Sequence, residues 1–104
     1  METDYFDDEG FLRNLSAWTE PLAQTIAERE ALALTDAHWE LIYLIRRFYQ
    51  EFDLSPAMRP LCKYASVHLG PEKSRSIYLL QLFPGSPAKL LAKIAGLPKP
   101  ENCL

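Results

Sequence analysis

Apolar residues recur at intervals of three and four along most of the chain, which is the spacing of one face of an α-helix. The strongest pattern is LTDAHWELIYLIRRFYQEF, residues 34–52, where it continues over three turns. Thr35 is a suitable N-cap for this segment, and Asp36 favours the positive end of the helix dipole. The pattern therefore predicts a long amphipathic helix over residues 35–53.

Four further segments have helical spacing and recognisable ends, at residues 19–30, 55–70, 71–83 and 86–96. In the second of these, Ser55 is the expected N-cap, Pro56 the first helical residue and Gly70 the stop. Pro60 is expected to bend that helix near its start and to remove one backbone hydrogen bond.

The first 15 residues include DDEGFL, in which acidic residues and a glycine form a turn between apolar positions. Such a turn is consistent with a short hairpin or with an irregular segment. The predicted fold class is α+β and predominantly α-helical. It comprises a five-helix domain over residues 1–96, with or without a small N-terminal β-hairpin or meander, and a flexible C-terminal arm over residues 97–104.

Composition narrows the class of protein. The chain has 104 residues, 48% hydrophobic and 24% charged, as expected of one globular domain. No apolar run approaches the ~20 residues of a membrane span, and the N-terminus METDYFDDEG is acidic, unlike a signal peptide. A cytoplasmic location is expected, where thiols stay reduced.

The formal charge of -3 conceals an asymmetry between the two halves. Residues 1–53 contain 12 acidic and four basic side chains, whereas residues 54–104 contain two acidic and seven basic ones. A basic C-terminal half suits an acidic protein partner or a nearby RNA. Basic side chains that only solvate helix faces explain the pattern equally well.

The two cysteines lie in different sequence contexts. Cys62 falls on an apolar helical line with Leu61 and Ala65, so a packing role is expected. Cys103 follows no apolar periodicity and lies beyond the expected helix stop at Gly96. A thiol in such a terminal arm is suited to nucleophilic exchange at a sulfane sulfur or a disulfide.

The arm itself is the stretch LPKPENCL. Pro98 and Pro100 favour extended polyproline geometry at about 3.1 Å per residue, so eight residues could span roughly 25 Å. Such an arm would be long enough to enter the active site of a partner. Lys99 favours the thiolate of Cys103, whereas Glu101 and the terminal carboxylate oppose it, so activation is expected from a partner's pocket.

Four segments together resemble the TusE/DsrC family of small sulfur-carrier proteins. They are LSAWTEPLA, LTDAHWELI, FYQEFDLSPAMRPL and LFPGSPAKLLAKIAGLPKPENCL. The resemblance implies a mostly helical domain with a small N-terminal β-meander and a mobile C-terminal arm. It also implies that the penultimate cysteine, Cys103, carries sulfur as a persulfide.

The resemblance is closer to the TusE branch. The DsrC branch has a second cysteine eleven residues before the penultimate one, and Ala92 occupies that position here. The TusE branch implies a sulfurtransferase that accepts sulfur from a TusBCD-like donor and passes it to an MnmA-like tRNA-thiouridylase, for 2-thiolation of the wobble uridine. No metal or organic cofactor is expected.

The residues expected to contact a partner are predicted less directly than Cys103. Three lysines near the arm and the two prolines within it are expected to contact a partner, namely Lys89, Lys93, Lys99, Pro98 and Pro100. Solvation of a helix face is an equally good explanation for the lysines. Whether tRNA is contacted directly stays open. Arg75 is the nearest candidate for a cationic partner of the arm.

Two other functions are compatible with parts of the sequence. One is a DsrC-like carrier or regulatory subunit of dissimilatory sulfite reductase, which Ala92 disfavours. The other is a helix-turn-helix nucleic-acid module formed by residues 35–53 and 55–69, with Arg59 and Lys63 one turn apart. The sequence pI of about 5.3 is unfavourable for a phosphate binder.

The histidines and tryptophans are interpreted structurally. His38 is expected to be a partly exposed surface residue, and His68 to interact with the last carbonyls of its helix. Trp18 and Trp39 are expected to pack in the core or against the hairpin rather than to form a binding platform.

Overall fold

The computed structural model describes residues 5–101, which form five α-helices, as the sequence predicts. The helices are α1 (Glu20–Arg29), α2 (Asp36–Phe52), α3 (Met58–Leu69), α4 (Ser76–Leu82) and α5 (Pro87–Ile94). Two short 3-10 turns, Leu15–Ala17 and Pro71–Ser74, precede α1 and α4. None of the helices in this part of the chain is long and apolar enough to cross a membrane.

Helix α5 lies at the centre of the fold and packs against each of the other four helices. Its inward face is fully buried, and Leu91, Ala92 and Ile94 have no exposed surface. The longest helix, α2, contributes Leu41, Ile42 and Ile45 to the same core. The C-terminal end of α5 therefore belongs to a helix that is packed into the core.

The helix starts of α1 and α2 follow the local signals in the sequence. The hydroxyl of Thr19 accepts the backbone N–H of Leu22 at 3.2 Å, which caps α1. At the start of α2, the ring Nδ1 of His38 accepts the backbone N–H of Thr35 at 3.1 Å. In a usual N-cap, the side chain of the capping residue accepts an N–H of the helix. In this second contact, the side chain of a helical residue accepts the backbone N–H of the capping residue.

Residues 5–101 contain no β-strand, so the expected N-terminal hairpin or meander does not form there. A single antiparallel bridge joins Phe6 and Leu12. Between them, the carboxylate of Asp7 accepts the backbone N–H groups of Glu9 and Phe11, each at 2.9 Å. These side-chain hydrogen bonds close a tight loop, and among the described residues the pairing beside it stays a single bridge.

The expected start of α3 is wrong. The helix begins at Met58 rather than Pro56, and its N-cap is Ala57, two residues later than the cap predicted at Ser55. Pro60 consequently lies in the first turn, where its nitrogen would have had no intrahelical partner, so the expected loss of a backbone hydrogen bond does not occur. The hydroxyl of Ser55 instead forms a tertiary contact with the carbonyl of Pro98.

The single helix expected over residues 71–83 is also wrong. The 3-10 turn Pro71–Ser74 is separated from α4 by Arg75, whose backbone is extended. Lys73, within the turn, forms an ion pair with Glu40 of α2 at 2.9 Å.

Candidate functional site

The candidate site is the junction between α5 and the C-terminal segment that leads to Cys103. The backbone turns there in a Schellman arrangement, in which the N–H of Gly96 bonds to Lys93 and the N–H of Leu97 to Ala92, at 3.2 and 2.9 Å. Gly96 has a φ of +75°, which a side chain would strain. The stop predicted at Gly96 is therefore confirmed.

Trp18, which precedes α1 in the sequence, packs against this turn. Its indole Nε1 donates to the carbonyl of Ile94 at 3.0 Å. A β-carbon at Gly96 would lie 2.7 Å from Cγ of Trp18, well inside contact distance. The ring thus packs directly on the backbone of the turn, in line with the packing role expected for Trp18.

Arg46 of α2 binds the carbonyl of the residue after Ile94. Its Nη1 donates to the carbonyl of Ala95 at 2.7 Å, and its guanidinium lies 3.9 Å from the centre of the Trp18 ring. Burial lowers the pKa of Arg46. Carbonyl oxygens at a helix C-terminus carry partial negative charge, so a partly buried cation is well placed there.

The segment after the turn continues along the protein surface. Leu97 is only 3% exposed, and the hydroxyl of Ser55 donates to the carbonyl of Pro98 at 2.6 Å. Ser55 is itself buried, between α2 and α3. Pro100 is buried as well, whereas Pro98 and Lys99 are exposed.

Beside this segment lies an open groove of about 420 Å³. One side is formed by the end of α2 and the loop into α3, and the other by the C-terminal segment. The lining residues include Tyr49, Leu54, Pro60, Pro98 and Glu101. Residue 101 is the last one that the structure describes, so the described chain ends at this groove.

The three lysines predicted to contact a partner are paired with acidic residues of the N-terminal half. Lys99 and Lys89 lie 3.0 and 3.6 Å from the carboxylate of Glu9, and Lys93 lies 3.1 Å from Glu30. The hydrogen bond from Lys99 is the main cause of a lowered pKa at Glu9. The charge asymmetry of the sequence is thus partly balanced inside the molecule, and partner contact by these lysines stays a prediction.

The predicted reactive residue, Cys103, lies outside the described residues. The described residues that lead to it, Pro98, Lys99 and Pro100, follow closely after the anchored end of α5. Arg46 and Ser55 were not predicted as parts of this site. Their contacts join residues 43 and 49 positions apart, and no local pattern in the sequence signals such pairs.

Other predicted residues have structural roles. Cys62 is partly buried and packs against the core, as expected. Ala92 is completely buried in α5. Arg75 is exposed at the N-cap position of α4, and the arginine that contacts the end of α5 is Arg46.

The expectations for both histidines are wrong. His38 is only 6% exposed, because its Nε2 donates to the carbonyl of Leu82 at 2.8 Å while Nδ1 accepts from Thr35. His68 is exposed, and its ring lies against Tyr64 with the centroids 4.3 Å apart.

Comparison with known proteins identifies the family. The family described as DsrC like protein matches residues 2–104, and the chain belongs to it. The fold is similar to that of DsrC from Allochromatium vinosum, with a TM-score of 0.86 and 43% identity over 95% of this chain and 88% of that one. It is also similar to the oxidized gamma-subunit of dissimilatory sulfite reductase (DsrC) from Archaeoglobus fulgidus, with a TM-score of 0.81 and 33% identity over 95% and 90% of the two chains.

Curated relatives define the branch. Sulfurtransferase TusE from Escherichia coli K12 is 51% identical over 98 residues, which cover 94% of this chain and 90% of the relative. The TusE homolog from Haemophilus influenzae shows the same identity and coverage. The chain is therefore closer to the TusE branch and falls in the class of sulfurtransferases, as the sequence motifs predict.

Proposed function

We propose that this chain is a persulfide carrier in a cytoplasmic sulfur relay, and that the thiol of Cys103 holds the sulfur. The main support is the anchored end of α5, which fixes the start of the segment GLPKPENCL, in a chain about half identical to sulfurtransferases named TusE. In this proposal residues 1–96 form the carrier domain and residues 97–104 the arm that presents the cysteine.

The chemistry is exchange at sulfur. The thiolate of Cys103 attacks the outer sulfur of a persulfide on the donor, forming a new S–S bond as the donor's S–S bond breaks. The products are a persulfide on Cys103 and a thiolate on the donor, so no external oxidant or reductant is consumed. A second exchange of the same kind transfers the outer sulfur to a cysteine of the acceptor.

Similarity to sulfurtransferases named TusE supports a proposal for the partners. The donor is a TusBCD-like complex, and the acceptor is an MnmA-like thiouridylase that places the sulfur on the wobble uridine of tRNA. Because Glu9 and Glu30 already pair with the three lysines near the arm, any contribution of those lysines to docking requires exchange of these ion pairs.

A DsrC-like role in sulfite reduction is less well supported. Ala92 is buried and cannot form a disulfide or bridge a sulfur atom with Cys103. The residues proposed for a helix-turn-helix motif belong to α2 and α3 of the DsrC-like domain, and the family match covers both helices.

Reconstituted thiolation tests this function. Wild type, Cys103→Ser or Cys62→Ser is combined with the components of the relay. These are cysteine labelled with radioactive sulfur, a desulfurase, the upstream relay proteins, the thiouridylase and tRNA. Label should reach tRNA with wild type and Cys62→Ser and be absent with Cys103→Ser. Equal labelling with Cys103→Ser would refute the proposal.

A further inference from the structure

We propose that Lys89 and Lys99 form a docking site for the carboxylates of an acidic protein segment, and that Glu9 occupies this site in the free protein. Glu9 is then an intramolecular competitor of the partner. The inference rests on the proposed function in one respect, because it takes the partner to be a protein that gives sulfur to the carrier or receives it.

The two ammonium groups meet at a single carboxylate oxygen. Nζ of Lys99 lies 3.0 Å from Oε2 of Glu9, and Nζ of Lys89 lies 3.6 Å from the same atom. The pKa of Glu9 is lowered, mainly by the hydrogen bond from Lys99, so the position favours a negative charge. The carboxylate of Glu9 therefore marks a place on the surface where two cations hold an anion.

The contacts to Glu9 are open to exchange with a carboxylate from another molecule. The exposed fractions of the side chains are 34% for Lys89, 43% for Lys99 and 48% for Glu9. Ion pairs between exposed side chains contribute little to stability, because water solvates the separated charges nearly as well. A partner's carboxylate can replace that of Glu9 without unfolding or unpacking any other part of the described chain.

A cleft of about 200 Å³ adjoins Lys89 and adds an apolar surface to the site. Pro84, Leu90 and Lys93 also line this cleft. Lys93 is less available for exchange, because its side chain is only 13% exposed and its Nζ lies 3.1 Å from Glu30. A protein segment that pairs a carboxylate with Lys89 can place a neighbouring apolar side chain in the cleft.

The charges around the site favour a protein segment over RNA. Asp7 and Asp8 are exposed in the same loop as Glu9, and Glu30 lines the cleft. RNA binding depends on contacts between several basic side chains and successive phosphates, and these carboxylates would repel the neighbouring phosphates. A protein segment can present one carboxylate to the lysines without placing further negative charge beside the acidic side chains.

Binding measurements in a Cys103→Ser background test the site without sulfur exchange. The probe is a fluorescein-labelled peptide rich in glutamate and leucine. Glu9→Gln should bind it about two- to fivefold more tightly than Cys103→Ser alone, because one exposed ion pair no longer competes. Lys89→Gln and Lys99→Gln should each bind it more weakly.

Glu40→Gln is the matched control for Glu9→Gln. It makes the same change in net charge and removes a carboxylate whose partner, Lys73, has a side chain 44% exposed. Because Lys73 and Glu40 lie outside the proposed site, Glu40→Gln should leave the affinity for the peptide unchanged.

The opposite effects of Glu9→Gln and Lys99→Gln separate a binding role from a structural one. If their ion pair only held the loop against the C-terminal segment, both substitutions would change the affinity in the same direction, and that result would overturn the proposal. An unchanged affinity in Glu9→Gln would also overturn it. Tighter binding of tRNA by Glu9→Gln, without tighter binding of the peptide, would refute the assignment to a protein partner.

Transfer kinetics with Cys103 intact link the site to the proposed function. For at least one of the donor complex and the acceptor enzyme, Glu9→Gln should raise kcat/KM for sulfur transfer relative to reduction of the Cys103 persulfide by a small thiol. The same ratio should not change in Glu40→Gln. An unchanged ratio with both proteins would contradict the proposal. If Cys103 gains no sulfur, the proposed function fails, while peptide binding still decides whether Glu9 competes for the lysines.

Discussion

The indole ring of Trp18 lies against the backbone of Gly96, so close that a β-carbon there would be 2.7 Å from Cγ of the ring. This contact joins the segment before α1 to the turn that ends α5. Together with Arg46 and Ser55, it holds the start of the C-terminal segment against the rest of the protein.

Gly96→Ala should therefore be strongly destabilising. The positive φ alone costs about 1–2 kcal/mol for an alanine, and the clash with Trp18 should add about 1–3 kcal/mol. Urea unfolding of both variants measures the difference, with Gly85→Ala as the control. Gly85 has a φ of +87° but nothing within 4 Å of an added β-carbon, so equal losses for the two variants would contradict the close packing of Trp18.

Ala31→Gly should stabilise the protein. Ala31 follows α1 with a φ of +57°, and its N–H and that of Leu32 complete a second Schellman arrangement. Relief of the left-handed strain should outweigh the entropy of a glycine by about 0.5–1 kcal/mol. Thermal unfolding measures the gain.

Ala33→Gly is the control for that change, because Ala33 is exposed, lies in the same loop and has no positive φ. It should lose about 0.4–1 kcal/mol through greater freedom of the unfolded chain. Destabilisation by both substitutions would show that Ala31 is not strained.

His38→Phe should cost about 1–3 kcal/mol, since it leaves the carbonyl of Leu82 and the N–H of Thr35 without their partner. Exposed His68 is the control, and His68→Phe should change the free energy of unfolding by less than about 0.5 kcal/mol. Chemical denaturation distinguishes the two. Similar small losses would mean that the ring of His38 does not connect α2 to the end of α4.

The pKa of Glu9 should lie below its ordinary value of 4.5, mainly because Lys99 donates a hydrogen bond to the carboxylate. A carboxyl whose pKa falls on folding stabilises the fold at neutral pH, and this contribution is lost as the pH drops below about 4.5. NMR titration of Glu9 in Lys99→Gln should show the pKa rising towards 4.5. Lys73→Gln, which removes the partner of Glu40 instead, should leave it unchanged.

Local signals in the sequence predicted most of the helices but few of their contacts. Thr19, Thr35 and Gly96 mark helix ends through hydrogen bonds to residues no more than five positions away, so their roles can be read locally. Ser55 precedes a proline and has the local pattern of a cap. Its hydroxyl instead donates a hydrogen bond to the carbonyl of Pro98, and that contact depends on the completed fold.

The same limit applies to the candidate site. The motif of the C-terminal arm and its cysteine could be recognised from sequence, because the residues proposed for the chemistry lie in one continuous stretch. Arg46 could not, since an arginine on an amphipathic helix is usually solvated. It reaches the carbonyl of Ala95 only because α2 packs against α5.

Intact-protein mass spectrometry most directly tests the central claim that Cys103 carries sulfur. Wild type, Cys103→Ser and Cys62→Ser are each incubated with a cysteine desulfurase, cysteine and the upstream relay proteins. We predict a gain of one sulfur atom on wild type and Cys62→Ser, removed by reductant and absent from Cys103→Ser. If the donor is loaded and wild type gains no sulfur, or if Cys103→Ser gains as much as wild type, the carrier function assigned to Cys103 is wrong.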